Sequence, residues 1–540
     1  MIYMSPGVYV RERDLTGGFP AVATSSAALV GYSAKGDVDG VRLITNSRQF
    51  IDHYGKPDPS TGHYFHYAAL AYLARGNALY CLRVMNGALY GGVNIMRNDP
   101  VLENAVISVG QSEAVFGPGS GMGDDVLFQI LGANPGVWNN KTGVVIRNVK
   151  TGGDEIPSDQ YTFEIVVYYK NDDGVSEEVE KWKVSRKSKK DGFGRDLYLE
   201  SKINGISNYI VVLDNTDLAD TILPKAQATR LDFEKGLDGG EVGSEELVDG
   251  WELFANPADV DVRILINGGE TAQEVQQKMQ AIAEARADCL AILDMSWSAV
   301  QTLGGMTTFR TNTSINSSYC ALYTPWLLVY DSYNDKKVYI PPSGHVAAQY
   351  AYNDYIDEPW FAPAGFKRGL LNVLATNYVF DETGGELDTL YTVQINPIQL
   401  FRNEGIVIWG QKTLQRKTSD SSSVNVRRLF IVIEKTVVAF LHYFVEEPND
   451  EITRFRVKSR LEEYLDSLSA KRAFQTEAND KGYYVLCDEN NNTAQTIQDK
   501  QMNVDLFVKP IHAAEFIQLQ VISTPISAKI EELVSSGAMF

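Results

Sequence analysis

Two histidines three residues apart in "GHYFHY" could share a metal ion on one face of a helix. No carboxylate or thiol at ligand spacing accompanies His63 and His66, so packing among the surrounding aromatics is expected instead. In "PPSGH", Ser343 lies two residues from His345, but a nucleophile and its base are seldom sequence neighbours, and no GxSxG elbow occurs. "ILINGGETAQ" puts Gly268 and Gly269 between a strand and a helix, where a phosphate could meet a helix N-terminus. Neither GxGxxG nor GxxxxGK[ST] is present, so a tight turn is the expectation. Asp294 closes the strand "DCLAILDM" as a catalytic or metal-binding carboxylate could, although capping the next loop is the simpler role. The glycine-rich run 117–125 follows no clear strand and reads as a surface loop. None of these makes a catalytic constellation, and no catalytic residue, metal site or cofactor is assigned.

The remaining chemically distinctive group is basic. Arg454, Arg456, Lys458 and Arg460 crowd the first turns of the helix "ITRFRVKSRLEEYLDSLSAKRAF". Positive charge there opposes the helix macrodipole. The cluster is either a solvated face or a surface that meets an acidic partner.

It stands out because the 540-residue chain carries a net charge of -20. That balance argues against general nucleic-acid affinity, which needs a Lys/Arg surplus, and against anionic membrane surfaces. Cys81, Cys289, Cys320 and Cys487 form no CxxC pair, and three lie in apolar runs, so buried free thiols are expected. The most apolar segment, "RRLFIVIEKTVVAFLHYFVEE", is interrupted by Glu434 and Lys435 and is too short to span a bilayer. Leu429, Ile433, Val437, Phe440 and Phe444 recur there at helical spacing, with apolar residues on other faces too. A helix buried on most sides is expected.

The elements group into segments. Residues 1–23 carry one isolated strand: Val8 and Val10 alternate with Tyr9, Arg11 and Arg13, between Pro6 and Gly17-Gly18, with no signal-peptide pattern. Residues 24–95 read as an α/β unit, with a helix between Asn46 and Gly55. Residues 96–245 are β-rich and punctuated by "NDDG" and "KKDGFG", an inserted domain. Residues 246–425 return to α/β. The order "VDVRILINGG", "TAQEVQQKMQAIAEARA", "DCLAILDM" predicts a parallel crossover around a helix with Val275, Met279, Ile282 and Arg286 aligned. In 426–522, two helices precede two alternating strands. Val504, Leu506 and Val508 share one face of the first, and Ile517, Leu519 and Val521 one face of the second. Two strands make a marginal sheet, which therefore calls for further strands. In 523–540, Ile526, Ile530, Leu533 and Val534 recur at helical spacing and need a surface to cover.

Several segments, in order, resemble contractile phage (myovirus) tail sheath proteins: "SPGVYVRE", "TSSAALVGYSAKGDVDGVRLITN", "LARGNALYCLRV", "ANPGVWNNKTGVVI", "SSYCALYTPWLLVYD", "VYIPPSGHVAAQYAYND", "WFAPAGFKRG", "INPIQLFRNEGIVIWGQKTL", "VNVRRLFIVIEKTV" and "VDLFVKPIHAAEFIQLQV". Residues 96–240 match poorly. The resemblance implies a multidomain α+β and α/β subunit with a β-rich outer insertion and a C-terminal α+β domain completed by strands from neighbours. It implies a structural role without nucleotide hydrolysis. Identical subunits would stack as hexameric rings around a tail tube protein, between baseplate and tail terminator proteins, and contract to drive the tube through the host envelope. Assembly in the host cytoplasm and residence in the virion tail follow from it. Residues Val8, Tyr9, Val10, Arg11, Glu12 and Arg13 would be the donated strand, and Arg454, Arg456, Lys458 and Arg460 would face the tube. The sheath of a phage-derived machine, an R-type bacteriocin or extracellular injection system, is the alternative. An enzyme with a phosphate-binding α/β domain is the competing class.

Overall fold

The computed structural model describes residues 24–38, 40–96, 107–108, 126–150, 161–171, 174–381, 385–478, 480–515 and 518–519. The expected strand at Val8–Arg13, the loop 117–125, and Ile517 and Val521 lie outside them.

The fold is mixed α/β with several sheets. The largest has nine strands in the order Leu370–Leu371, Gly405–Ile408, Asn396–Phe401, Cys320–Thr324, Leu290–Leu293, Ile264–Ile266, Ala27–Tyr32, Leu79–Val84, Arg42–Ile44. Its six middle strands run parallel, and antiparallel strands close both edges. Side chains alternate between faces along each strand. Ala27, Leu29, Ile264, Ile266, Leu290 and Ile292 pack against helices Phe65–Leu73 and Ser343–Ile356. Ala28, Val30, Leu265, Ala291 and Leu293 pack against Ser244–Glu252 and Gln273–Arg286. Strands buried on both faces explain the continuous apolar runs.

Local signals account for several elements. The Asn46 side chain accepts from the Gln49 N–H at 2.9 Å and starts helix Ser47–Tyr54, which Gly55 ends at φ 86°. The predicted crossover forms, and Val275, Met279, Ile282 and Arg286 are all buried in it. Leu429, Ile433, Val437 and Phe440 are buried along helix Val424–Leu441, whereas Phe444 falls in the short 3-10 turn beyond it. All four cysteines are free and buried. No helix among the described residues is long and apolar enough to cross a membrane.

Between Val84 and Ile264 the chain leaves the large sheet and builds antiparallel sheets around a separate core. Gly92–Met96, Val126–Gly132 and Ile210–Asp214 form one; Thr142–Lys150, Thr162–Lys170, Ser176–Val184 and Leu231–Asp232 form another. Gly92–Met96 thus pairs within this unit, a few residues earlier than the change of composition suggests. Arg83 fastens the unit to the large sheet. It is 0% exposed and donates to the carbonyls of Ser33, Gly36 and Pro135 at 2.5–2.9 Å, and to that of Ala34 at 3.1 Å.

The C-terminal unit has its own core. Helices Val424–Leu441 and Glu451–Ala470 pack on a two-stranded sheet. The alternating strand at 504–508 is present as Asp505–Val508, but it does not pair with 517–521. Its antiparallel partner is Tyr483–Leu486. Leu519 is 87% exposed and in no strand. The expected accepting set is corrected accordingly: Leu506 and Val508 belong to the sheet, Val504 precedes the strand and packs on the same core, and Leu519 is in no strand.

Candidate functional site

The two-stranded sheet is the feature that could act on a partner. Its register is set by an asparagine clamp in the loop joining the strands. Asn491 Nδ2 donates to the Leu486 carbonyl at 2.9 Å and the Asn503 carbonyl at 3.1 Å, and Asn492 Oδ1 accepts from the Asn503 N–H at 2.7 Å. Val485, Leu506 and Val508 then face the helices Val424–Leu441 and Glu451–Ala470, in a core with Val457, Leu461 and Leu465. Tyr484 and Phe507, paired across the strands, face outward at 53% and 55% exposure. Among the described residues no third strand pairs with either edge. An open edge presents a row of unpaired backbone donors and acceptors, a template for another strand.

The partner strand Tyr483–Leu486 was missed in the sequence reading. "GYYVL" carried its signal: a β-prone aromatic and valine run after Gly482, which takes φ 78°.

The basic helix lies against this sheet, but its four cations are not equivalent. The helix starts at Glu451, and the Asp450 carboxylate caps it by accepting from the Thr453 N–H at 2.7 Å. Two acids thus offset the cations at the N-terminus. Arg454 is turned inward, 8% exposed, and donates to Asn449 Oδ1 at 2.9 Å, so it is not a surface charge as expected. Lys458 sits 5.5 Å above the Tyr484 ring. Arg460 pairs with Glu463 at 2.9 Å. Arg456 is exposed.

The structure disperses the other candidate residues. His66 is buried, its Nε2 3.2 Å from both Ser33 Oγ and the Tyr54 carbonyl; burial lowers its pKa to about 4. His63 instead reaches Glu270 at 3.1 Å. Ser343 bonds to Asp294, not to His345. Asp294 accepts from the Ser343 N–H at 2.9 Å, the Ser343 hydroxyl at 2.5 Å and the Gly269 N–H at 3.0 Å. This carboxylate is 0% exposed, and burial raises it to about 7. It ties the glycine turn to the start of helix Ser343–Ile356. The turn lies where strand order reverses, the usual ligand crevice of such sheets. A Cβ on Gly269 would meet Tyr64 at 2.9 Å and Pro341 at 3.0 Å, so the turn itself admits only glycine there. Among the described residues no group of His, Cys, Asp and Glu could hold a metal.

These features match one family. The phage tail sheath protein central domain matches residues 240–414, and the phage tail sheath C-terminal domain matches residues 416–524; together they span more than half of the chain. The tail sheath protein of Vibrio phage KVP40 is 27% identical over 335 residues, 57% of this chain and 49% of that protein. That of Enterobacteria phage T4 is 27% identical over 372 residues, 65% of this chain and 54% of that protein. The chain spans about half the length of these relatives. The helical sheath of the anti-feeding prophage in its contracted state shares the fold, with a TM-score of 0.54 over 97% of this chain and 100% of that one at 15% identity. The chain belongs to the contractile tail sheath protein family.

Proposed function

We propose that the chain is the structural subunit of a contractile phage tail sheath. It polymerises as stacked hexameric rings around a tail tube protein, between baseplate and terminator proteins, and contracts to drive the tube through the host envelope. The observation that carries this reading is the two-stranded sheet, with no third strand on either edge among the described residues, on a well-packed unit. The strand Val8–Arg13 of a neighbour supplies one missing edge, placing Val8 and Val10 over the core that holds Val485 and Leu506. Burying each valine contributes about 1.5–3 kcal/mol, in addition to the backbone ladder. Residues 517–521 have the alternation of a second donated strand rather than of an acceptor. Head-to-tail donation does not close on itself and so propagates along the tail.

In this reading the β-rich unit between Val84 and Ile264 is the outer insertion, and the C-terminal unit faces the tube. Contraction draws on interfaces that differ between two packings, while the exchanged strands keep subunits joined. The chain works in the virion tail, without a cofactor, after assembly in the host cytoplasm. The curated relatives come from phages, which supports a phage sheath over an injection machine. Capsid and terminase genes beside the coding gene are expected; their absence selects the injection machine. Deleting residues 1–18 tests the assembly mechanism. A folded monomer that forms no tubes under electron microscopy is expected, and normal-length tubes from the truncated chain reject strand donation.

A further inference from the structure

We propose that the protein binds a small uncharged phenol in a cavity walled by His345. The cavity, of about 510 Å³, lies between helix Phe65–Leu73, the start of helix Ser343–Ile356 and a small antiparallel sheet of Leu327–Asp331, Lys336–Ile340 and Ala375–Thr376. That volume suits a small organic molecule. Such a site is independent of strand donation and of sheath assembly.

The unmet chemistry is at His345. Its Nδ1 is sealed from water and has no hydrogen-bond partner, whereas most buried polar side-chain atoms in folded proteins have one. Burial, and then the charge of Arg75, lower its pKa to about 4, so the ring is neutral near pH 7. A neutral imidazole carries one donor and one acceptor, and a hydroxyl, being both, can meet it in either tautomer. The ring forms part of the cavity wall, within reach of an occupant.

The remaining wall selects against charge. Among the described residues Asp331 is the one charged side chain in it, and that carboxylate is already occupied. It accepts from the Tyr67 hydroxyl at 2.8 Å, from Asn334 Nδ2 at 2.7 Å, and from the N–H groups of Tyr333 and Asn334 at 2.9 and 3.3 Å. Arg75 does not line the cavity; it donates to Gln349 and lies 4.4 Å from the Tyr352 ring. A charged ligand would lose hydration and find no free counter-charge. The surfaces left to it are apolar. Leu70, Val329 and Ile340 line the interior, and the rings of Tyr330 and Tyr333, 55% and 44% exposed, stand with Leu374 in the wall. Aromatic walls of this kind pack edge-on or offset against an aromatic ring.

Calorimetry of the full-length protein with 4-methylphenol, toluene and 4-methylbenzoate tests the site. 4-Methylphenol should bind at one site, about tenfold more tightly than toluene, the difference a hydrogen bond supplies, and 4-methylbenzoate should bind least. In His345→Phe the preference over toluene should vanish. Ala74 lines the cavity but is itself exposed, so Ala74→Phe should block the cavity and abolish binding with the thermal midpoint unchanged. Equal affinity for 4-methylphenol and toluene overturns the proposal, as does tighter binding of 4-methylbenzoate. A preference that survives His345→Phe, or binding that survives Ala74→Phe, overturns it as well. No binding by any of the three means a cavity that holds only water, and also overturns it. The wild-type comparison decides alone if either variant fails to fold. The outcome of the residue 1–18 deletion stands whichever result is obtained.

Discussion

Arg428 and Asp354 meet at 2.6 Å with side chains only 6% and 5% exposed. The pair joins helix Val424–Leu441 of the C-terminal unit to helix Ser343–Ile356 behind the large sheet, with Arg428 stacked 4.9 Å from the Tyr350 ring. A buried ion pair adds little net stability over apolar residues of equal volume, but removing one partner strands a charge. Arg428→Ala and Asp354→Ala should each lower unfolding free energy by about 3–5 kcal/mol. The paired Arg428→Met, Asp354→Leu variant should lose much less than the sum. Denaturant titration of all four proteins checks the non-additivity.

Asp294 makes stability depend on pH. Burial raises its carboxyl from the ordinary 3.8 to about 7 in the folded chain. Folding therefore favours its protonated form. The contribution is full below about 3.8 and is lost as pH rises through about 7, with a ceiling on the order of 4 kcal/mol. Asp294→Asn cannot ionise. It should start less stable at pH 5, because one amide hydrogen faces the donors of Gly269 and Ser343, yet decline less between pH 5 and pH 8. Thermal midpoints at the two pH values decide; parallel declines would exclude Asp294 as the source.

Arg83 predicts how the β-rich unit is held. Burial lowers its pKa to about 10, and it contacts backbone carbonyls rather than a carboxylate. Arg83→Lys keeps the charge but cannot span four acceptors. A loss of about 2–3 kcal/mol is expected, with faster limited proteolysis near residues 86–92 and 236–240, where isolated bridges join the unit to its stem. Cleavage at the wild-type rate would mean that packing alone holds the junction.

Periodicity fixed which face of each element is buried, and it did so well. The Asn46 and Gly55 boundaries and the crossover helix of Val275 and Met279 stand in the structure as the sequence implies. Alternation does not say which strand is the partner. Leu506 and Val508 had the right face, but the apparent hairpin partner was simply the next alternating run. The true partner sits about twenty residues upstream, across a loop whose register depends on asparagine side chains. Arg454 was misread for a related reason. Helical spacing gave its position, whereas its inward turn depends on Asn449 in the preceding loop.

That inward turn decides how the proposed contact of this helix with the tube should be probed. Charge reversal at Arg454 would bury an unpaired carboxylate and unfold the helix start, so lost co-assembly would be uninformative. Arg456 is exposed, and Lys458 projects over Tyr484 beside the open sheet. Reversing these two should leave the unfolding free energy within about 0.5 kcal/mol of wild type, as for other surface changes. If the helix meets an acidic tube surface, co-sedimentation with tube protein should fall severalfold, and the wild-type interaction should weaken as salt rises. A loss of sheath self-assembly without loss of tube binding would instead place these charges between subunits. Exchange at Arg460 offers the control: it already pairs with Glu463, so its reversal should have the smaller effect on tube binding.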